Sequence, residues 1–322
     1  MRTITLTVVF LAMTQILSAT VWRVNPTPNS GAHYTTLQAA HDASTTQNGD
    51  TLYLEGSTYG FGGLSMSKKL TMIGNGYFLG ENPQTQFNLS PSNINGYVYC
   101  YNGSQGSSFI GCTFTAGVFI YTDNLNFSRN HFSTSNYSIY PQTSCSDIVI
   151  HSNYFSSGYS MYFPNSHSNI LVINNYFAGY LSVSSTYSGI FANNIFGYPT
   201  TLYNSTLVNN IALHTMSLTN CLITYNIGNS TQFGNQNGNQ QNVAQSSLFV
   251  GISGNSTDGQ WQLKAGSPAI GAGEGGTDIG IFGGEMAYKL SGLPPVPAIY
   301  SLDSQSLPSN TLNVTLKAKS HN

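Results

Sequence analysis

The chain has 322 residues, a formal net charge of −2 and only 6% charged residues, where an ordinary soluble domain carries roughly 25%. A nucleic-acid groove, which needs clustered Lys and Arg, is excluded, and an anionic membrane finds nothing basic to attract. Asn, Ser, Thr, Gly and Tyr stand where the charges would, so the exterior is hydrogen-bonding and electrically quiet.

In chain order, Met1-Arg2, the apolar stretch Ile4 to Leu17 and the small residues Ser18-Ala19-Thr20 read as an export signal over 1–20. Its apolar part is too short for a membrane span. The mature chain is expected to start near Val21, outside the cytoplasm: secreted, periplasmic or at the cell surface, with no membrane insertion. Residues 21–86 read as an N-terminal cap with the first coils. VWRVNP (21–26) is a strand, and TTLQAAHDAST (35–45) a helix with Leu37, Ala40 and Ala43 on one face and Thr35 or Thr36 as its cap. GDTLYLEG (49–56) and KKLTMIGNGYFLGEN (68–82) follow as strands.

Over residues 87–290 the sequence repeats. YVYCYNG (97–103) and SSFIGCTF (107–114) lead into six copies of one phrase: LNFSRNHF (125–132), IVIHSNYF (148–155), LVINNYF (171–177), IFANNIF (190–196), TLVNNIA (206–212) and LITYNIG (222–228). They align Asn130, Asn153, Asn175, Asn194, Asn210 and Asn226 in one column, with steps of 23, 22, 19, 16 and 16 residues. Two residues on stand Phe132, Phe155, Phe177, Phe196, Ala212 and Gly228. A period near 20 with β-branched residues at alternate places marks a β-solenoid. Ile170, Val172, Asn175 and Phe177 are expected to face inward, with a corner at Asn174-Asn175, where asparagine tolerates the left-handed conformation. Stacked coil on coil, the amides form an asparagine ladder. The shrinking period means that loops on one side shorten.

NSTQFGNQNGNQQNVAQ (229–245) reads as a loop, and DGQWQLKAGSPAIGAGEGGTDIGIFGG (258–284) as closing coils. Residues 291–322 are a Pro-rich linker and a last strand. SGLPPVPAIYSL (291–302) cannot carry a helix or a central strand through its prolines, and TLNVTLKAKS (311–320) alternates as an edge strand or cap.

The opening TLQAAHDA with GDTLYLEG and KKLTMIG, the repeated N-x-F coil, and LKAGSPAIGAG with TDIGIFGG together cover residues 21–290. In these the chain resembles the secreted, pectin-lyase-like right-handed parallel β-helix proteins common in Bacteroidetes. The resemblance implies an all-β, single-stranded right-handed parallel β-helix with an N-terminal helical cap, its asparagines at the turn between the second and third faces. It implies little about activity, because the fold hosts lyases, hydrolases, epimerases and adhesins.

Enzymes of that kind acting on acidic sugars need carboxylates for calcium or a paired acid and base. Between Glu81 and Asp258 only Asp123, Arg129 and Asp147 are charged. Counted from the asparagine column, Asp123, Asp147, Arg129, His131 and His151 are expected to share one outer patch. Two close carboxyls there would supply an acid and a base for a polysaccharide lyase or glycoside hydrolase. Alternatively, the Asp residues bond turn amides and Arg129 neutralises Asp147. Tyr159, Tyr180 and Tyr198 follow the core phenylalanine in successive coils, and Tyr154 and Tyr176 flank the asparagine on the outer face. They form either a platform for neutral polysaccharide or plain packing. Cys100, Cys112, Cys145 and Cys221 have no metal spacing and are either buried thiols or, for Cys100–Cys112, a bridge. No cofactor and no metal are expected. The expected role is an exported, adhesin-like surface scaffold touching cell-surface glycan.

Overall fold

The computed structural model describes residues 19–156, 158–306 and 312–321. They form a right-handed parallel β-helix of about nine turns; the export signal expected over 1–20 lies almost entirely outside the described residues. Each coil contributes to three all-parallel sheets. Sheet 1 has eight strands, from Leu64–Met66 through Val98–Cys100, Tyr137–Pro141 and Tyr159–Phe163 to Met216–Thr219. Sheet 2 has ten, from Val21–Val24 through Asn126–Ser128 and Ser146–His151 to Leu222–Thr224. Sheet 3 has eight strands of two residues, from Asn93–Ile94 through His131–Phe132 and Tyr154–Phe155 to Ile227–Gly228.

The ladder lies at the turn from sheet 2 to sheet 3. Each amide oxygen accepts the backbone N–H and the side-chain N–H of the preceding rung. Asn153 Oδ1, for example, takes Asn130 N at 2.9 Å and Asn130 Nδ2 at 3.1 Å. Each Nδ2 also donates to a carbonyl of the coil before, as Asn175 does to Ile150 at 2.8 Å. Buried backbone groups at a corner thus find partners where a sheet ladder cannot reach. The left-handed residue is the one before the rung, not the rung itself: Arg129, Ser152, Asn174, Asn193, Asn209 and Tyr225 have φ near 55°. The ladder also runs one rung further than the alignment: Asn239, 13 residues on, accepts Asn226 N at 2.8 Å. At the other end Cys112 N is taken by Asn130 Oδ1. Inside sheet 3, Phe114, Phe132, Phe155, Phe177 and Phe196 stack at 4.6–5.6 Å between ring centroids. All four cysteines are free thiols.

Thr36 caps the helix Leu37–Asp42, its side chain accepting Ala39 N at 3.2 Å, and Leu37 and Ala40 seal the first coil. Ala43 turns out of the helix, so it does not share that face. Of 68–82 only Thr71–Ile73 is strand. The loops joining sheet 1 to sheet 2 hold at four or five residues (142–145, 164–167, 184–188) and then drop to the single residue Asn204.

The C-terminal strand expected over 311–320 is present, whereas the closing coils expected before it are not. Residues 258–284 do not make coils: they form short 3-10 turns and a strap that runs back along the outside of sheet 3. The last strand, Leu312–Lys319, is not alone, since it pairs antiparallel with Ala298–Ser306, which begins just past the prolines.

Candidate functional site

The strap explains the column of left-handed residues. Asn209 Oδ1 accepts Glu274 N at 2.8 Å, Asn193 Nδ2 donates to Asp278 O and Gly280 O, and Asn174 Nδ2 to Ile281 O and Gly283 O. Ser152 Oγ then holds Met286 O, and Arg129 Nη1 holds Leu293 O at 2.8 Å and His321 O at 2.9 Å. Falling coil numbers meet rising strap numbers, so the strap is fastened rung by rung from the last coils toward the first.

Beneath it lies a second apolar layer. The outward residues of sheet 3, Tyr154, Tyr176, Ile195, Ile211 and Ile227, are buried against Trp261, Ile279, Ile281 and Tyr288. Tyr154 and Tyr176 therefore do face away from the coil interior but not toward solvent: Tyr176 stacks on Trp261 at 4.4 Å, and burial pushes the Tyr154 phenol up to about 12. They cannot belong to a surface platform. A carboxyl that sequence reading passed over sits here too. Asp258 is fully buried and receives bonds from Asn82 Nδ2, Ser256 Oγ, Tyr288 OH and Ser291 N, while Tyr288 meets Tyr77 hydroxyl to hydroxyl at 2.6 Å. Those bonds tie strap to coil and leave the acid no route to a substrate.

The five residues expected to share a patch divide into two groups. Asp123 and Asp147 sit at the turn into sheet 2. Asp123 Oδ1 accepts Ser146 N at 2.7 Å; Asp147, itself left-handed at φ 58°, is bonded by Ser146 Oγ and Asn169 Nδ2, which hold its carboxyl below its ordinary range. Its column reads Asn124, Asp147, Asn169, Ser188, Asn204, Asn220, left-handed at every position but Ser188, so it stands as one turn residue in a column mostly of asparagines. Arg129 and His151 lie at the opposite end of sheet 2, about 13 Å or more along the strand, and His131 lies past the corner on sheet 3. Arg129 is committed to the strap carbonyls and not to Asp147. His131 bonds Ser156 Oγ at 3.0 Å between the rings of Tyr77 and Phe78. Burial lowers His131 to about 4, and burial with the Arg129 charge lowers His151 to about 4. No acid, base and cation converge there.

What the coils do bring together is aromatic. Along sheet 1 inward Val98, Cys100, Val118, Ile120, Ile139 and Met161 alternate with outward rings. Register sets Tyr99 beside Phe119, Phe119 beside Tyr140, and Tyr137 beside Tyr159 beside Tyr180. The ring contacts are continuous: Tyr99–Phe119 at 5.3 Å, Phe119–Tyr140 at 5.9 Å, Tyr140–Tyr162 at 5.4 Å, Tyr137–Tyr162 at 5.2 Å and Tyr159–Tyr180 at 5.4 Å, flanked by Tyr101–Tyr121 at 5.0 Å. Tyr159, Tyr180 and Tyr198 line a depression of about 600 Å³ at the lower end, with Ser156 and Gly158. Burial and neighbouring phenols hold Tyr121 and Tyr137 above the ordinary phenol range. None of the wall's strands contains Asp, Glu, Lys or Arg. Three of the five tyrosines singled out from sequence lie on this wall. The larger part, Tyr97 to Tyr140, was missed because Tyr97 to Tyr121 precede the aligned copies and Tyr137 and Tyr140 fall between two of them, although the aromatic–x–aromatic spacing of YVYCY (97–101) and FIY (119–121) is a period-two signal.

Among the described residues no group of His, Cys, Asp and Glu is arranged to hold a metal ion, and no helix is long and apolar enough to cross a membrane. Comparison of the chain with protein-family models, with curated proteins and with solved structures returns no match, and the functional reading rests on the geometry of the chain itself.

Proposed function

We propose that this protein is a non-catalytic β-helix scaffold, of the pectin-lyase-like type and exported from the cell, whose sheet 1 wall binds neutral polysaccharide in an adhesin-like role. The supporting observation is the continuous row of half-exposed rings from Tyr99 to Tyr180, wet on one face and free of charge. Sugar rings present C–H faces and a hydroxyl rim, which match an aromatic face edged with phenol hydroxyls. The spacing supports it as well: successive coils are about 4.8 Å apart, close to the length of one pyranose unit. A lyase or hydrolase built on Asp123 and Asp147 has less support, since Arg129 and His151 lie at the far end of sheet 2 and His131 beyond it on sheet 3.

The test pairs a linear neutral glucan with a polyuronate in affinity electrophoresis and calorimetry. Wild type is expected to be retarded by the glucan alone, and Tyr140→Ala with Tyr162→Ala to weaken binding roughly tenfold or more at unchanged melting temperature. No new reducing ends or unsaturated products are expected. Absence of binding, or turnover abolished by Asp147→Asn, overturns the reading.

A further inference from the structure

The columns sealed elsewhere in the solenoid open at one end. Inward Leu181, Leu202, Phe191 and Leu207 are fully buried. Their successors in the last coil, Leu218 and Ile223, are only half-buried, as are Met216 and Cys221. The loop after residue 228 folds under this coil, sends Phe233 into the core and caps Ile223 O with Asn239 Nδ2 at 3.0 Å, yet it leaves the strand Met216–Thr219 bare. That strand pairs with Thr200–Tyr203 on one side only. Thr200 N donates to Thr215 O and Asn204 N to Thr219 O. The alternation of a parallel ladder then points the N–H and C=O of Met216 and Leu218 at the free edge, where no described residue bonds them. Such edges are ordinarily guarded by charge, but no Asp, Glu, Lys or Arg occurs from residue 148 to 257.

We infer that this end is a self-association surface on which two copies stack tail to tail. The occupant must bring an apolar cross-section of solenoid shape, a free strand edge and no charge. The same end of a second copy brings all three. A two-fold axis sets Met216–Thr219 antiparallel to its twin, an isologous contact. The opposite end is closed by the helix Leu37–Asp42, so stacking stops at two instead of propagating as a filament. Two uncharged faces meet without like-charge repulsion, whereas a charged partner gains nothing from this surface.

Sedimentation velocity of the full chain across the micromolar range is expected to show a monomer–dimer equilibrium and nothing larger. Leu218→Lys, which sets two ammonium groups face to face in the contact, is expected to weaken dimerisation roughly a hundredfold or more. Ile190→Lys, on the exposed outer side of sheet 2, leaves it unchanged. Hydrogen exchange on the wild type gives a second readout: the Met216 and Leu218 amides slow as concentration rises, whether or not the Lys variant folds. A wild type that stays monomeric, a dimer indifferent to Leu218→Lys, growth into filaments, or exchange rates independent of concentration overturns the inference.

Discussion

Replacing Asn175 by Ala tests whether the ladder is a source of stability or an ornament of the repeat. The Asn175 side chain makes five contacts within hydrogen-bond distance: it accepts Asn153 N at 2.9 Å and Asn153 Nδ2 at 3.0 Å, and donates to Ile150 O at 2.8 Å, Ile173 O at 3.0 Å and Asn194 Oδ1 at 3.1 Å. After the change Asn153 Nδ2 keeps Phe127 O, and Asn194 Oδ1 keeps Asn175 N. Asn153 N loses the partner the amide supplied, in a place water does not reach, while Ile150 O and Ile173 O keep their places in the sheet 2 ladder. At about 1–3 kcal/mol for a buried group left unpaired, plus the void, the expected cost is about 2–5 kcal/mol, against roughly 5–15 for a whole domain. Asn239→Ala is the internal control. That rung ends the ladder beside the exposed residues 235–238, so the same substitution should cost less. Urea unfolding followed by far-UV circular dichroism measures both, and comparison of m-values checks that the same unit unfolds. A loss under about 1 kcal/mol for Asn175→Ala, or equal losses at the two positions, refutes the reasoning.

Acid should weaken the fold well before carboxylates titrate. His131, His151 and His167 are held at about 4 by burial against an ordinary 6.5, so below 6.5 the unfolded chain takes up protons that the folded one refuses. Stability is complete above that point and falls as pH drops toward about 4, by about 1–3 kcal/mol for each histidine; a melting temperature flat from pH 7 to 4 contradicts this. Arg129→Met removes both bonds to Leu293 O and His321 O and is expected to speed limited proteolysis after Leu293 without unfolding the coils, read as a discrete fragment by mass spectrometry. With native protein a thiol reagent should label Cys221 alone. Cys112 is buried and pushed up to about 12, Cys100 is buried and raised further, and Cys145 is buried with its thiol also raised. More than one adduct before unfolding counts against that burial.

Where a column repeats, its geometry could be read from the chain. The asparagine and phenylalanine columns fall where alignment puts them, because one side chain per coil solves the same corner each time. The aligned asparagine proved to be the bonded rung, while left-handed backbone falls one residue earlier, on positions as different as Arg129, Ser152 and Tyr225. Counting could not separate those two tasks. The strap was invisible for another reason: its contacts join residues as far apart as Tyr77 and Tyr288, and its glycine-rich sequence has no period. A hint did exist in the column of Tyr154 and Tyr176, which continues as Ile195, Ile211 and Ile227. Three isoleucines in succession at outward positions have no reason to be there unless something covers them. For the site, the split of Asp123 and Asp147 from Arg129 and the histidines follows from the strand length between them. Neighbouring coils are close, but the two ends of one strand are not.

The strap also sets an order of events. Coils can form one upon another as the chain emerges from its amino end, each new turn resting on the last. The flank carrying Tyr154, Tyr176, Ile195 and Ile211 stays wet until residues 258–293 arrive and are laid backward across the finished turns. Completion therefore waits on residues 258–293, and a ribosome that stalls short of them releases a rod with one greasy side showing. A nascent chain of this design carries its own quality seal, applied last and spanning almost everything made before it.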